Sequence, residues 1–503
     1  MGARHQLDNA ELLDKVFHLI KTADVDSFPD STLYIKAARG LVHELNDPYA
    51  ELYSPQEWAE FTRNALGNDY AGLGLGIESL SDTVTVTTVF PRSPAALFGI
   101  RRGDRIIAVE GTRVVGMTTD DVSKRLMGIA GTRVQITLAR AGASAPVVAA
   151  IPRAVVHVPS VPYALMFGHV GYVPLLRVNE SATEEVSDAL QRLREEGATS
   201  YILDLRGNPG GQLDQALDAS SLFLDRGKVL ASVRSRLAQP EVYTAREAPV
   251  ERTAPIVVLE DGYTASAAEI IAGALQDHDR ALVLGMPSFG KGLVQTTIPL
   301  ESGWLLKMTT GRWFTPSGRS IHRLRPFANG QFLDVDSAPL GRTAAAIRAG
   351  RPTVHSDEGR TLYGGGGIVP DVVVPMDTLS TAEAHFVESL AGHGGTARSV
   401  LYSLARQLAL SAKPGFAVQP DWVATYANQM RTAGVDLEPA LLDSARTLVK
   451  ELIGDRVAGI AFGDSAVFRR EAVHDAQFQR AIHLLDASST VQGLLTAAGR
   501  DDG

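Results

Sequence analysis

Pro255-Ile256-Val257-Val258-Leu259, Thr264-Ala265-Ser266-Ala267-Ala268-Glu269, Ala281-Leu282-Val283-Leu284 and Ser288-Phe289-Gly290-Lys291-Gly292-Leu293-Val294-Gln295 follow one another in the stretch that decides the fold. Pro255–Leu259 is a short apolar run rich in β-branched residues, which predicts a buried strand. Ala265–Gln276 carries helical spacing and begins at small residues. Ala281–Leu284 is again a buried strand. Strand, helix and strand in this order predict a parallel crossover within an α/β layer.

The same alternation runs upstream. Gly171–Leu176 predicts a strand, and Ser181-Ala182-Thr183-Glu184 is a capping box opening a helix with Val186, Leu190 and Leu193 on one face. Tyr201–Leu205 predicts another buried strand, ending in Arg206-Gly207-Asn208-Pro209-Gly210-Gly211. Residues 168–300 therefore read as a sheet with parallel strands. Residues 301–375 read as rich in strands and loops, residues 376–395 as a linker, and 398–495 as helices broken at Pro414-Gly415 and Gly434. Residues 7–62 read as helical, through Leu12, Val16, Leu19 and Ile20, then Leu33, Ala37, Leu41 and Leu45.

Residues 68–153 differ. Gly72-Leu73-Gly74-Leu75-Gly76-Ile77 precedes the alternating run Thr83–Thr87, then Ser93-Pro94-Ala95-Ala96 and Gly103-Asp104-Arg105-Ile106-Ile107. A helix is expected at 118–127 and a closing strand at Val134–Leu138. This layout resembles a PDZ domain. A glycine-rich turn there can aim backbone N–H groups at a peptide's terminal carboxylate, and the neighbouring strand edge can add the peptide as a further strand. Gly72, Leu73, Gly74 and Leu75 are the candidate carboxylate-binding residues.

Composition narrows the chemistry. The 503 residues suggest about three domains. With 48 basic against 57 acidic side chains, no basic domain points to nucleic acid. Cysteine is absent, which removes disulfides, thiolate nucleophiles and Cys-ligated zinc. No apolar run is long enough to span a bilayer, and the N-terminus has no apolar signal region. No His-Glu-x-x-His pair or Gly-x-Ser-x-Gly elbow occurs, and no metal or cofactor is expected. Gly285–Lys291 imitates a phosphate-binding loop, but Gly292 stands where Ser or Thr should hold magnesium, and a strand rather than a helix is predicted to follow.

Lys291 fits another role. Serine is a weak nucleophile that needs a base, and a lysine whose pKa is lowered by burial can serve. Ser266 sits at a predicted helix start, among residues small enough for a substrate backbone to approach. A Ser–Lys dyad is a variant of the Ser–His–Asp arrangement, but spacing alone does not establish one here.

The block Thr264–Gln295 resembles the carboxy-terminal processing, or tail-specific, proteases. So do Asp204–Gly211, Thr315-Pro316-Ser317-Gly318-Arg319-Ser320-Ile321, the Gly-Ile-Val-Pro-Asp block at 367–371, Asn46-Asp47-Pro48-Tyr49 and Ser54-Pro55-Gln56-Glu57-Trp58. The resemblance covers roughly residues 30–375, its motifs standing in the family's order. It implies Ser266 as nucleophile, Lys291 as general base and Gln295 as the residue orienting that lysine. It implies an oxyanion hole from the Ala267 N–H with one from Gly210 or Gly211, and a structural role is expected for Asp277. It also implies an α/β multidomain chain with a crotonase-like (ClpP/crotonase) catalytic core. The expected parts are an N-terminal helical region (1–67), an inserted PDZ domain (68–153), the protease core (154–375) and a C-terminal helical region (376–503).

The expected activity is a serine endopeptidase cutting proteins near free C-termini held by the PDZ domain, in the periplasm or cell envelope, with a homo-oligomer possible. The alternative is a catalytically silent PDZ scaffold. The chain departs from the family's pattern at Ala268, where a second serine is common, and in Leu259–Tyr263, which lacks the usual asparagine. The segment between Ile321 and Gly364 is longer than in compact members, as a flap or partner surface. The C-terminal helical tail lies outside the shared motifs, and its role as packing, dimerisation or substrate platform stays open.

Overall fold

The computed structural model describes residues 2–62, 69–80, 83–236, 238–325, 327–328, 331–332 and 343–501. Parts of the 321–364 segment, and Met1, lie outside these residues.

A six-stranded sheet forms the centre, in the order Leu165–Phe167, Val170–Pro174, Ser200–Asp204, Ile256–Glu260, Leu282–Gly285, Val372–Val373. Its first pair is antiparallel and the rest are parallel. Strand side chains alternate between faces, so each apolar run feeds two cores. Val173, Tyr201, Leu203, Ile256, Val258 and Val283 face the helices Ala182–Glu195, Leu213–Ser221 and Ala267–Asp277. Tyr172, Ile202, Val257, Leu259, Leu282 and Leu284 face the other way, onto Phe468, Phe478, Leu484, Leu485, Leu494 and Leu495. The last helices of the chain, Asp464–Glu471, Ala476–Asp486 and Val491–Asp501, thus close the second face of this sheet. Tyr172 and Phe468 stack there with centroids 4.0 Å apart.

A second sheet runs Glu51–Tyr53, Leu305–Phe314, Val229–Ser235, Glu241–Thr244, with Leu293–Pro299 also paired to Leu305–Phe314. Glu51–Tyr53 departs from the helical expectation for 7–62. Three residues give no readable alternation, and the strand exists because Leu305–Tyr53 pairing completes an edge. The helices on either side of it are Gly2–Ala23, Asp30–His43 and Pro55–Phe61.

The PDZ-like segment has its own core, built on Val84, Val86, Ile106, Val122, Leu126, Val134, Ile136 and Ile151. Its helix is Thr119–Leu126, capped by the Thr118 hydroxyl, and its closing strand is Arg133–Ala139. Entry and exit strands, Asp69–Gly72 and Ala154–His157, pair antiparallel as a stem.

Two local readings change. Ser181 does not cap its helix: its hydroxyl donates instead to the Glu185 carboxylate, one turn on. Residues 381–389 are helical rather than linker, since Ser380 and Glu383 form a complete capping box and Phe386 is buried. With a single fully buried apolar residue, that helix has too narrow a stripe for periodicity to reveal it.

Candidate active site

The strand Ile256–Glu260 delivers the chain into a tight turn. Asp261 Oδ1 accepts the N–H groups of Tyr263 (2.9 Å), Thr264 (3.0 Å) and, from the neighbouring loop, Gly207 (3.0 Å). The Thr264 hydroxyl donates to the Leu205 carbonyl at 2.8 Å, and the Ala265 N–H to the Asn208 carbonyl at 2.9 Å. Three bonds therefore fasten the turn to the Leu205–Gly211 loop before the helix begins.

Ser266 precedes the first residue of the helix Ala267–Asp277 with φ +54° and ψ −115°. A non-glycine residue at positive φ carries roughly 1–3 kcal/mol of strain and persists only where its surroundings hold it. The holding group is Glu269, one turn into the helix and fully buried. Its Oε2 accepts the N–H of Ser266 at 2.7 Å and of Lys291 at 2.8 Å. Its Oε1 accepts the Ser288 hydroxyl at 2.5 Å and the Gly290 N–H at 2.6 Å. Burial pushes the Glu269 pKa up, while these four donors pull the other way. One carboxylate thus joins the backbone of Ser266 to that of Lys291. The N–H groups of the imitation phosphate loop at 285–291 point at this carboxylate, and the strand Leu293–Pro299 follows, as expected.

Gly210 lies directly against Ser266. A Cβ on Gly210 would sit 2.6 Å from the Ala265 carbonyl oxygen, 2.8 Å from the Ala267 nitrogen and 2.9 Å from Ser266 Cβ. Its φ of +92° also needs glycine. The Gly210 N–H donates to Asn208 Oδ1 at 2.8 Å. The N–H groups of Gly211 and Ala267 have no partner among the described residues.

Lys291 is largely withdrawn from water, and its pKa falls to about 8. Burial is the main cause and the Lys307 charge adds to it, while Glu269 and Asp47 oppose. Its Nζ lies 4.3 Å from the centroid of the Tyr49 ring, with no hydrogen bond to Ser266 among the described residues. Tyr49 comes within reach because the strand Glu51–Tyr53 joins the second sheet, and Asp47 Oδ1 fixes the Tyr49 N–H at 3.0 Å. Gln295 lies on Leu293–Pro299, and its Nε2 donates to Thr309 Oγ1 at 3.4 Å rather than touching the lysine. Asp277 stands at the far end of the helix, taking the Ser317 N–H at 2.9 Å and Arg319 Nη2 at 2.7 Å.

Gly72–Leu75 forms a turn at the end of the stem. The Leu73 carbonyl takes the Ala95 N–H and the Gly74 carbonyl the Phe90 N–H. Gly74 adopts φ +81° with Ser93 packed where its side chain would be.

Sequence reading missed Glu269, Tyr49 and Lys307. The Ser266-x-x-Glu269 spacing was a usable signal for the first, because it is that of a capping box. Tyr49 and Lys307 reach the lysine only through strand pairing, which leaves no local pattern.

Residues 169–326 match Peptidase family S41, and residues 85–140 match the PDZ domain. The carboxy-terminal processing protease CtpA of Bacillus subtilis is 33% identical over 329 residues, covering 65% of this chain and 70% of that protein. The carboxy-terminal-processing protease of Bartonella bacilliformis is 34% identical over 310 residues, covering 61% of this chain and 71% of that protein. A solved photosystem II D1 C-terminal processing protease is 28% identical, with a TM-score of 0.38, over 71% of this chain and 85% of that one. With a PDZ domain and an S41 peptidase segment in one polypeptide, the chain belongs to the carboxy-terminal processing proteases, serine-type peptidases of family S41.

Proposed function

We propose that this peptidase cuts protein substrates near their C-termini with a Ser266–Lys291 dyad on a crotonase-like core, while its PDZ domain holds the substrate's terminal carboxylate at Gly72–Leu75. The observation that carries the reading is Lys291: a lysine with a pKa of about 8, tied through Glu269 to a serine held at positive φ.

The neutral lysine takes the Ser266 hydroxyl proton, and Oγ attacks the scissile carbonyl carbon. The developing oxyanion accepts the N–H groups of Ala267 and Gly211, the two without partners; Gly210 is already committed to Asn208. Such donors contribute about 2.7–4 kcal/mol each to the transition state. Lys291 then gives its proton to the leaving amine, and with water it repeats the exchange to release the acyl group. For the first step Nζ leaves the Tyr49 ring face for the serine hydroxyl, and the Gln295 amide oxygen holds it there. Asp277 stays outside the chemistry, as the clamp of the Thr315–Arg319 turn.

The expected parts remain 1–67, 68–153, 154–375 and 376–503, with the final helices serving the protease core as packing. We place its work in the periplasm or cell envelope, checked by fractionating expressing cells. The exposed apolar side chains Leu12, Leu13, Val16 and Leu19 on the first helix favour a homo-oligomer, checked by light scattering.

The deciding experiment compares a protein with an unstructured tail, in free-acid and amidated form, against wild type, S266A and K291A. Wild type is expected to cut the free acid, and both variants are expected to be inert. Cutting by either variant sinks the dyad. Equal cutting of acid and amide sinks tail recognition.

A further inference from the structure

The candidate carboxylate nest is not empty of protein. Tyr70 stands on the entry strand Asp69–Gly72, just before the Gly72–Leu75 turn. Burial pushes the Tyr70 phenol pKa up, while the backbone N–H groups of Leu75 and Gly74 beside its hydroxyl pull the other way. Its ring packs against Gly72: a Cβ added there would sit 2.5 Å from Tyr70 Cε2 and 2.9 Å from Cδ2. Met127, the residue that ends the helix Thr119–Leu126, lies on the same side, its Cγ 3.7 Å from that point. Glycine at 72 therefore leaves the room that the ring fills. The ring packs on bare backbone, and its oxygen faces the two amides that a terminal carboxylate would use.

We propose that Tyr70 is a built-in occupant of the tail-binding nest, displaced by the substrate's terminal carboxylate, and so sets the affinity threshold for tail recognition. This rests on the proposal that Gly72–Leu75 binds substrate C-termini. The chemistry favours an exchange over permanent blockage. A neutral phenol oxygen gives the two N–H groups ordinary hydrogen bonds, whereas a carboxylate gives charge-assisted ones of about twice the strength. An uncharged chain end offers no better acceptor than the tyrosine already there. Tyr70 thereby keeps the nest satisfied in the resting enzyme and raises the affinity that a tail must have to open it.

Tyr70→Phe keeps the ring on Gly72 and removes only the oxygen. The probe is a short dye-labelled peptide ending in valine, as free acid and as amide. Its Kd is measured on the full-length chain carrying S266A, with and without Y70F. The expected result is free-acid binding tighter in Y70F by roughly 5- to 100-fold, the span of one to two net hydrogen bonds. Amide exchange at Gly74 and Leu75 is expected to be slow in the unliganded Tyr70 protein and fast in Y70F. Unchanged or weaker free-acid binding overturns the proposal, the weaker case making Tyr70 part of the carboxylate site. Fast exchange at both amides with Tyr70 present overturns it too. Free acid and amide binding alike in both proteins is a separate failure, that of tail recognition itself.

Discussion

Glu269→Gln tests the joint between serine and lysine with little change of shape. The wild-type carboxylate accepts four donors, two on each oxygen, at 2.5–2.8 Å. Glutamine replaces one oxygen by an NH2 group, which then faces two donors and can accept from neither. If the NH2 group lies on the Oε2 side, the Ser266 and Lys291 N–H groups both lose their acceptor. On the Oε1 side, the Ser288 hydroxyl can turn round, but the Gly290 N–H cannot. A hydrogen bond to a charged acceptor is worth about 1.5–3 kcal/mol net, so the first orientation removes roughly 3–6 kcal/mol from this joint and the second, losing only the Gly290 bond, about 1.5–3 kcal/mol. The positive-φ geometry of Ser266 then loses one of its supports in the first orientation and exchanges a charged acceptor for a neutral one in the second. A displacement on the order of 1 Å between reacting groups costs about 10²-fold in rate, so kcat/KM is expected to fall by at least that much. The assay pairs cleavage of an unstructured-tailed protein with urea unfolding of the full-length chain. Tail-peptide affinity serves as control, because the PDZ core is built from other residues. An E269Q enzyme with kcat/KM within about threefold of wild type and unchanged stability would refute the reasoning, since no reading of four lost or weakened bonds predicts it.

Lys307→Met removes a positive charge that helps hold the Lys291 pKa down. That pKa then rises, less neutral base is present at neutral pH, and the ascending limb of kcat/KM moves to higher pH from about 8. A limb that stays or moves down contradicts the assignment of Lys291 as base. Gly210→Ala places a Cβ 2.6–2.9 Å from the Ser266 turn at a φ of +92°, so loss of at least about 10²-fold in kcat is expected with a lowered melting temperature. Wild-type kcat in this variant would show that the turn is not at the reacting carbonyl. At the PDZ stem, His157 meets Asp69 at 3.1 Å and Glu185 at 2.7 Å. Burial alone would lower its pKa, but these bonds, Glu185 first, outweigh it and leave it raised. Its clasp is therefore complete below about 6.5 and is lost as pH rises through the raised folded value. Limited proteolysis of the stem should be slower at pH 6 than at pH 8, and H157Q should remove the difference.

The central strands were legible because both faces are buried, which leaves continuous β-branched runs such as Ile256–Leu259. The serine and lysine were legible through the family resemblance rather than their spacing, and the structure brings both their backbone N–H groups to one oxygen of the Glu269 carboxylate. The carboxylate itself was hidden in plain view: Glu269 has the pattern of an ordinary cap, and only the return of the Ser288–Lys291 loop gives it three further donors. In the proposed function, the preference for Gly211 over Gly210 was likewise beyond sequence, because it turns on where Asn208 points its amide oxygen. The C-terminal helices showed their apolar faces but not the surface those faces meet. Phe468 and Phe478 find Tyr172 from some three hundred residues away, and no local pattern records such a pairing.

Those helices also bear on how the two recognition events are spaced. Tyr402, on the helix Gly394–Leu408, donates its hydroxyl to the Val86 carbonyl of the PDZ core at 3.0 Å. Arg102, from the PDZ domain, makes a bidentate pair at 2.6 and 2.7 Å with Asp464. Asp464 opens the helix whose Phe468 is packed on the central sheet. The stem holds the PDZ domain at a separate place through His157 and Glu185, the latter on a helix of the protease core. A domain held at both places keeps a set distance between Gly72–Leu75 and Ser266. In the proposed function, an extended substrate spanning that distance is cut at a set number of residues from its end. Arg102→Ala combined with Tyr402→Phe loosens the attachment to the C-terminal helices while leaving nest and dyad intact. Mass spectrometry of the products should then show cut positions spread over neighbouring bonds, where wild type gives a narrow set. An identical distribution from both enzymes would mean that substrate sequence, and not the fixed separation, chooses the bond.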